Sequence, residues 1–140
     1  MLRASNDYRA PDFTMDGHHF QRIPILFDPR YAVLSTALGL FPSSSYLQVT
    51  SDVVHVRMGW AFRAAFPKSA VASTEIASRT VVSRGVHGFA GRWLVNGSGH
   101  GLVIINLNPV QRCHVLGLRL RLKQLIVSVA EPGALVSLLN

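Results

Sequence analysis

The chain has 140 residues, 49% of them hydrophobic, which is the length of one domain and too apolar for an intrinsically disordered protein. Its formal charge is +7, and its single cysteine, Cys113, excludes an internal disulfide framework and a cysteine-based zinc cluster. The longest apolar stretches, Tyr31 to Phe41 and Leu102 to Leu107, fall well short of the roughly 20 residues a membrane-spanning helix needs. The polar N-terminus, with Arg3, Asn6, Asp7, Arg9 and Asp12, has no signal-peptide core, so a cytoplasmic protein is expected.

Residues 1–27 carry Pro11, Gly17 and Pro24 among scattered charges and show no sustained period, so they read as an N-terminal extension to a single domain at 28–140. Asp28 then offers an N-cap before Pro29, and Tyr31, Leu34 and Leu38 share a face up to a stop at Gly39, which predicts a short amphipathic helix. From Tyr46 the period becomes two. Val54, Val56, Met58, Trp60 and Phe62 alternate with His55, Arg57, Gly59, Ala61 and Arg63, an apolar face set against a basic or small one. Ser51-Asp52 reads as a hairpin turn and Gly59 as a bend or bulge.

Beyond Pro67, Arg79 to Arg84 is a candidate short strand, and glycines from Gly85 to Gly101 punctuate the chain around a strand at Arg92 to Val95. Leu102 to Leu107 reads as a buried strand closed by a turn at Asn108-Pro109. Leu116, Leu118, Leu120 and Leu122 then alternate with Gly117, Arg119, Arg121 and Lys123, but past Gln124 the apolar set becomes Leu125, Val127 and Val129. A period of two cannot change face without an irregularity, so a bulge or turn is expected at 123–124. Glu131-Pro132 opens a short helix with Leu135, Leu138 and Leu139 on its apolar side.

Taken together, Val53 to Gly59, Phe62 to Pro67 ending before Val71, and the closing Leu125-Ile126-Val127-Ser128-Val129-Ala130-Glu131-Pro132 resemble the bacterial pleckstrin-homology-like (PH-like) domain over residues 43–140. The resemblance implies a mainly β fold: a small antiparallel PH-like barrel of about seven strands, closed at one end by a short C-terminal helix. The N-terminal helix is extra to that pattern. It also implies a non-enzymatic domain that binds peptides, lipids or other proteins, and it carries over no binding residue.

The placement of charge points the same way. Residues 53–130 hold ten bases and one acid, Glu75, a net +9 that favours anionic partners. With Glu75 alone in that span, paired-carboxylate catalysis there is not expected. Cys113 and His114 are adjacent on a strand, so they point to opposite faces and do not form a nucleophile–base pair. Asp16, His18 and His19 lack the set geometry a metal site needs, and neither a metal nor a cofactor is expected. The glycines flanked by Arg84, His87, Arg92 and His100 match no phosphate-loop spacing and read as hairpin connections. The best constellation is the strand-borne bases opposite the apolar stripes: Arg57, Arg63, Arg119, Arg121 and Lys123, joined by Arg84 and Arg92, as a candidate basic face. An acidic protein or an anionic membrane surface is the expected partner, with the chain peripheral at the inner face of the membrane in the second case. Nucleic acid is the alternative. It is weaker because Trp60 and Phe62 share the core parity and leave only Trp93 beside an arginine for stacking.

Overall fold

The computed structural model describes residues 20–32, 42–78 and 85–140. Its described strands are β1 (Phe20–Pro24), β2 (Ser45–Thr50), β3 (Val53–Met58), β4 (Phe62–Pro67), β5 (Val71–Ile76), β6 (Gly85–Phe89), β7 (Arg92–Asn96), β8 (Leu102–Val115) and β9 (Leu118–Ser128). They form one open sheet in the order β1-β2-β3-β4-β8-β9-β7-β6, with β5 paired to β8 beside that path. The fold is thus mainly β, as expected, but with nine strands in an open sheet where a closed barrel of about seven was expected. The β9–β7 pair is parallel, whereas the other pairs are antiparallel.

Strand β8 organises the sheet. It lies along β9 on one side; on the other it meets β5 from Val103 to Leu107 and β4 from Cys113 to Val115. The expected turn at Asn108-Pro109 is instead a detour inside β8. Leu122 faces Gln111 and Gln124 faces Asn106, so one residue of β9 spans the four residues 107–110 of β8. This is the irregularity the parity flip demanded at 123–124, with the extra residues on the partner strand. Proline has no N–H to give a ladder, and here it sits where the ladder is already broken. Lys123 and Gln124 send their N–H groups to the Gly91 carbonyl instead (2.7 and 3.1 Å).

The apolar stripes meet in one core. Leu47, Val54, Val56, Met58, Phe62, Phe66, Leu122, Leu125, Val127 and Val129 are buried, and helix α1 (Pro132–Leu139) adds Leu135 and Leu139, with Leu138 packed against them. Thr50 Oγ1 accepts the Asp52 and Val53 N–H groups across the Ser51-Asp52 turn, as the sequence predicts. The chain beyond β1 bridges to the ends of β9 and β7: Ile25 pairs with Val129, Phe27 with Gly97, and the Leu26 N–H donates to the Ser128 carbonyl at 2.8 Å.

Three burial expectations are corrected. Trp60, expected in the core, lies in the turn between β3 and β4 and is 58% exposed, because the alternation of β3 ends at Met58. Ile104 is half-buried while Val103 and Ile105 are fully buried; Ile104 shares its face with the polar Asn106, and pairing of Val103 with Val127 sets the register. Leu116 and Leu118 are exposed because the β8–β9 hairpin projects beyond the core that covers Leu122. Residues 29–32 are helical, with the Ala32 N–H on the Asp28 carbonyl; the rest of the predicted N-terminal helix and the candidate strand at 79–84 lie outside the described residues. Among the described residues no helix is long and apolar enough to cross a membrane.

Candidate functional site

Alternation fixes which side chains leave the core, and strand register decides which of them meet. Arg57 on β3 faces Tyr46 on β2 and Arg63 on β4; Arg63 faces His114 on β8, which faces Arg119 on β9. Five strands thereby present one row on the outer face: Tyr46, Arg57, Arg63, His114, Arg119. In the next row His55 faces Ala65, while Arg112 faces Arg121. Ala65 is short beside such neighbours, and the space above it opens a groove of about 590 Å³ lined by Tyr46, His55, Arg57, Arg63, Arg112, His114 and Arg119.

Among the described residues the carboxylates are Asp28, Asp52, Glu75 and Glu131, and none of them lines this groove. Four guanidinium groups therefore share one concavity without a neutralising wall, and like charges directly opposite on a sheet are destabilising. One arginine has a fixed position, since Arg57 Nε donates to the Gly59 carbonyl at 3.1 Å. At the groove's edge the Arg22 guanidinium lies 4.1 Å from the centre of the Tyr46 ring, a cation–π contact that adds a further positive charge to the rim. A second recess of about 660 Å³ adjoins the groove. Arg112 and Arg119 stand between the two, and Arg121, Leu120, Trp93, Ala90 and Gly91 complete its walls. The Trp93 indole N–H donates to the Arg121 carbonyl at 3.1 Å.

Of the basic face expected from sequence, Arg57, Arg63 and Arg119 come together in the groove and Arg121 in the recess beside it. Arg92 and Lys123 are exposed but line neither concavity, because β9 changes face at Lys123 and the Lys123 stem folds against Gly91. Arg84 lies outside the described residues, as do Asp16, His18 and His19. Sequence reasoning missed Arg112, Tyr46 and His55. Arg112 follows the Asn108-Pro109 pair, which in the sequence reads as the end of a strand and leaves the arginine without a face; the continuous β8 supplies one.

Cys113 and His114 fall on opposite faces. The thiol is 1% exposed in the core, and burial pushes its pKa up to about 11, which keeps it protonated near neutrality. His114 points into the groove. The glycine-rich stretch serves packing, since a Cβ at Gly88 would strike the Trp93 ring and one at Gly97 the Phe27 ring. Among the described residues no three His, Cys, Asp or Glu side chains gather as metal ligands. No protein-family model, curated protein or solved structure matches this chain.

Proposed function

We propose that the chain is a non-enzymatic interaction module of PH-like type whose outer sheet face binds an anionic partner, an acidic protein or anionic lipid headgroups. The observation that carries this reading is the groove in which Arg57, Arg63, Arg112 and Arg119 converge with no described carboxylate among them. A merely solvated basic exterior spreads its charges, because spacing lowers their mutual repulsion; here register concentrates them across adjacent strands. Guanidinium groups with free forks bind carboxylate and phosphate oxygens in bidentate fashion. The buried, protonated Cys113 supports a binding role over nucleophilic chemistry. Nucleic acid gains less support, since the Tyr46 ring already has Arg22 over its face and Trp93 is half-buried with its N–H engaged.

The test is retention on anionic vesicles, neutral vesicles and random oligonucleotides over a series of salt concentrations. Binding to the anionic vesicles should be measurable in dilute buffer and fade as the Debye length drops below about 10 Å near 0.1 M salt. The Arg57→Gln/Arg119→Gln protein should bind about thirtyfold more weakly, at about 1 kcal/mol per arginine. Oligonucleotides that displace the protein from vesicles outright would favour the nucleic-acid reading, and indifference to both in dilute buffer would refute the lipid-headgroup and nucleic-acid readings together.

A further inference from the structure

The inner leucine stripe of β9 runs off the end of the core. Leu122 is fully buried, Leu120 is half-buried, Leu118 is 65% exposed, and Leu116 in the turn is 61% exposed. The turn between β3 and β4 reaches the same end, where the Leu116 N–H donates to the Ala61 carbonyl at 2.9 Å and Phe62 faces Val115. Trp60 in that turn is exposed as well, so two tied turns present one tryptophan and two leucines at a single tip.

The backbone of that tip is not what its solvent exposure calls for. Leu116 (φ 52°) and Gly117 (φ 85°) both lie in the left-handed region, as the two central residues of a type I′ hairpin must. Asparagine or aspartate normally takes the first position, and a leucine there carries steric strain. Strain combined with an unburied apolar side chain is a local loss with no return inside this fold, the kind of departure that marks function.

We propose that this tip inserts into an anionic bilayer while the arginine row behind it engages the headgroup phosphates; the inference rests on the anionic-partner reading given above. The spacing fits. Arg57, Arg63 and Arg119 stand one to three positions from the tip residues, roughly 3–10 Å along the strands at about 3.3 Å per residue. Apolar groups of peripheral proteins sit about 5–10 Å into the interface, so the row reaches the phosphate level as the tip enters. Tryptophan belongs at that depth, with an apolar ring and a polar N–H. Charge argues against a second copy of this chain as the occupant, because a two-fold contact at the tip would bring each arginine row towards its like-charged counterpart. Convex turns also need no matching surface in a fluid phase.

The experiment uses the full chain with phosphatidylcholine vesicles made with and without phosphatidylglycerol. On the anionic vesicles Trp60 emission should shift to the blue and be quenched by bromine carried in the acyl chains. Trp60→Phe should lose that shift, which separates it from any signal of Trp93. Leu116→Ser/Leu118→Ser should lower partitioning roughly tenfold or more, since the leucines supply the buried area, with the thermal transition not lowered because neither leucine is in the core. If salt-sensitive vesicle binding persists with unshifted emission, and the double serine protein binds like the wild type, insertion is overturned while the groove reading stands. If the anionic vesicles are not bound at all, insertion is overturned and the lipid-headgroup form of the groove reading falls with it, leaving an acidic protein as the groove's partner. A dimer that the serine substitutions dissolve, with no lipid quenching, would assign the tip to a second copy and overturn the proposal.

Discussion

Arg63 lies directly between Arg57 and His114 in the outer row, so removing its charge should move stability and binding in opposite directions. Opposed like charges on neighbouring strands cost about 0.2–1 kcal/mol. Arg63→Gln should therefore stabilise the fold by about 0.5 kcal/mol at low salt. With a urea slope of about 1.5–2 kcal/mol per molar, that is a rise in the unfolding midpoint of roughly 0.3 M. Urea is the right denaturant because it leaves ionic strength alone. Screening should supply part of the same gain to the wild type, so its midpoint should climb with added salt while that of Arg63→Gln climbs less. Arg63→Lys, which keeps the charge, should track the wild type in both respects. On anionic vesicles the glutamine protein should bind about fivefold more weakly, for the loss of about 1 kcal/mol. Opposite signs would exclude misfolding as the cause of weaker binding. A midpoint that falls by roughly half a molar, or a salt response equal to the wild type's, would refute the picture of a mutually repelling row, since both follow from the same screened repulsion.

Gly101→Ala should destabilise the protein by about 2 kcal/mol or more, because its φ is +67° and the new Cβ would lie 2.1 Å from the Val129 carbonyl oxygen; chemical denaturation measures it, and an unchanged midpoint would contradict that backbone approach. Cys113 predicts an alkaline loss of stability. Its thiol ionises near 9.0 when free of the fold and near about 11 inside it, so the unfolded chain releases its proton first and stability, complete below pH 9, declines as pH rises to 11. The loss should be on the order of 2–3 kcal/mol, and Cys113→Ala, whatever its starting stability, should flatten that part of the pH profile.

The chain order of apolar residues by itself determined much of this protein. Strict alternation from Val54 to Met58 identified an outward Arg57 and an inward Val56, because a pleated strand offers only two faces. The parity flip past Lys123 located the irregularity in β9, and Glu131-Pro132 located helix α1. What the sequence could not decide was everything that depends on partners distant along the chain. The run from Leu102 to Ile105 is apolar on both sides and Asn106 is the one local hint of an outward face, so pairing of β8 with β5 and β9 is what turns Val103 and Ile105 inward. The stripe from Leu116 to Leu122 reads as uniform, yet its exposed end exists because the hairpin outruns the core. The groove itself is a product of register across five strands: Arg57 and Arg63 are far along the chain from Arg112 and Arg119, and hydrogen-bonded ladders, not local propensity, bring the two pairs around Ala65.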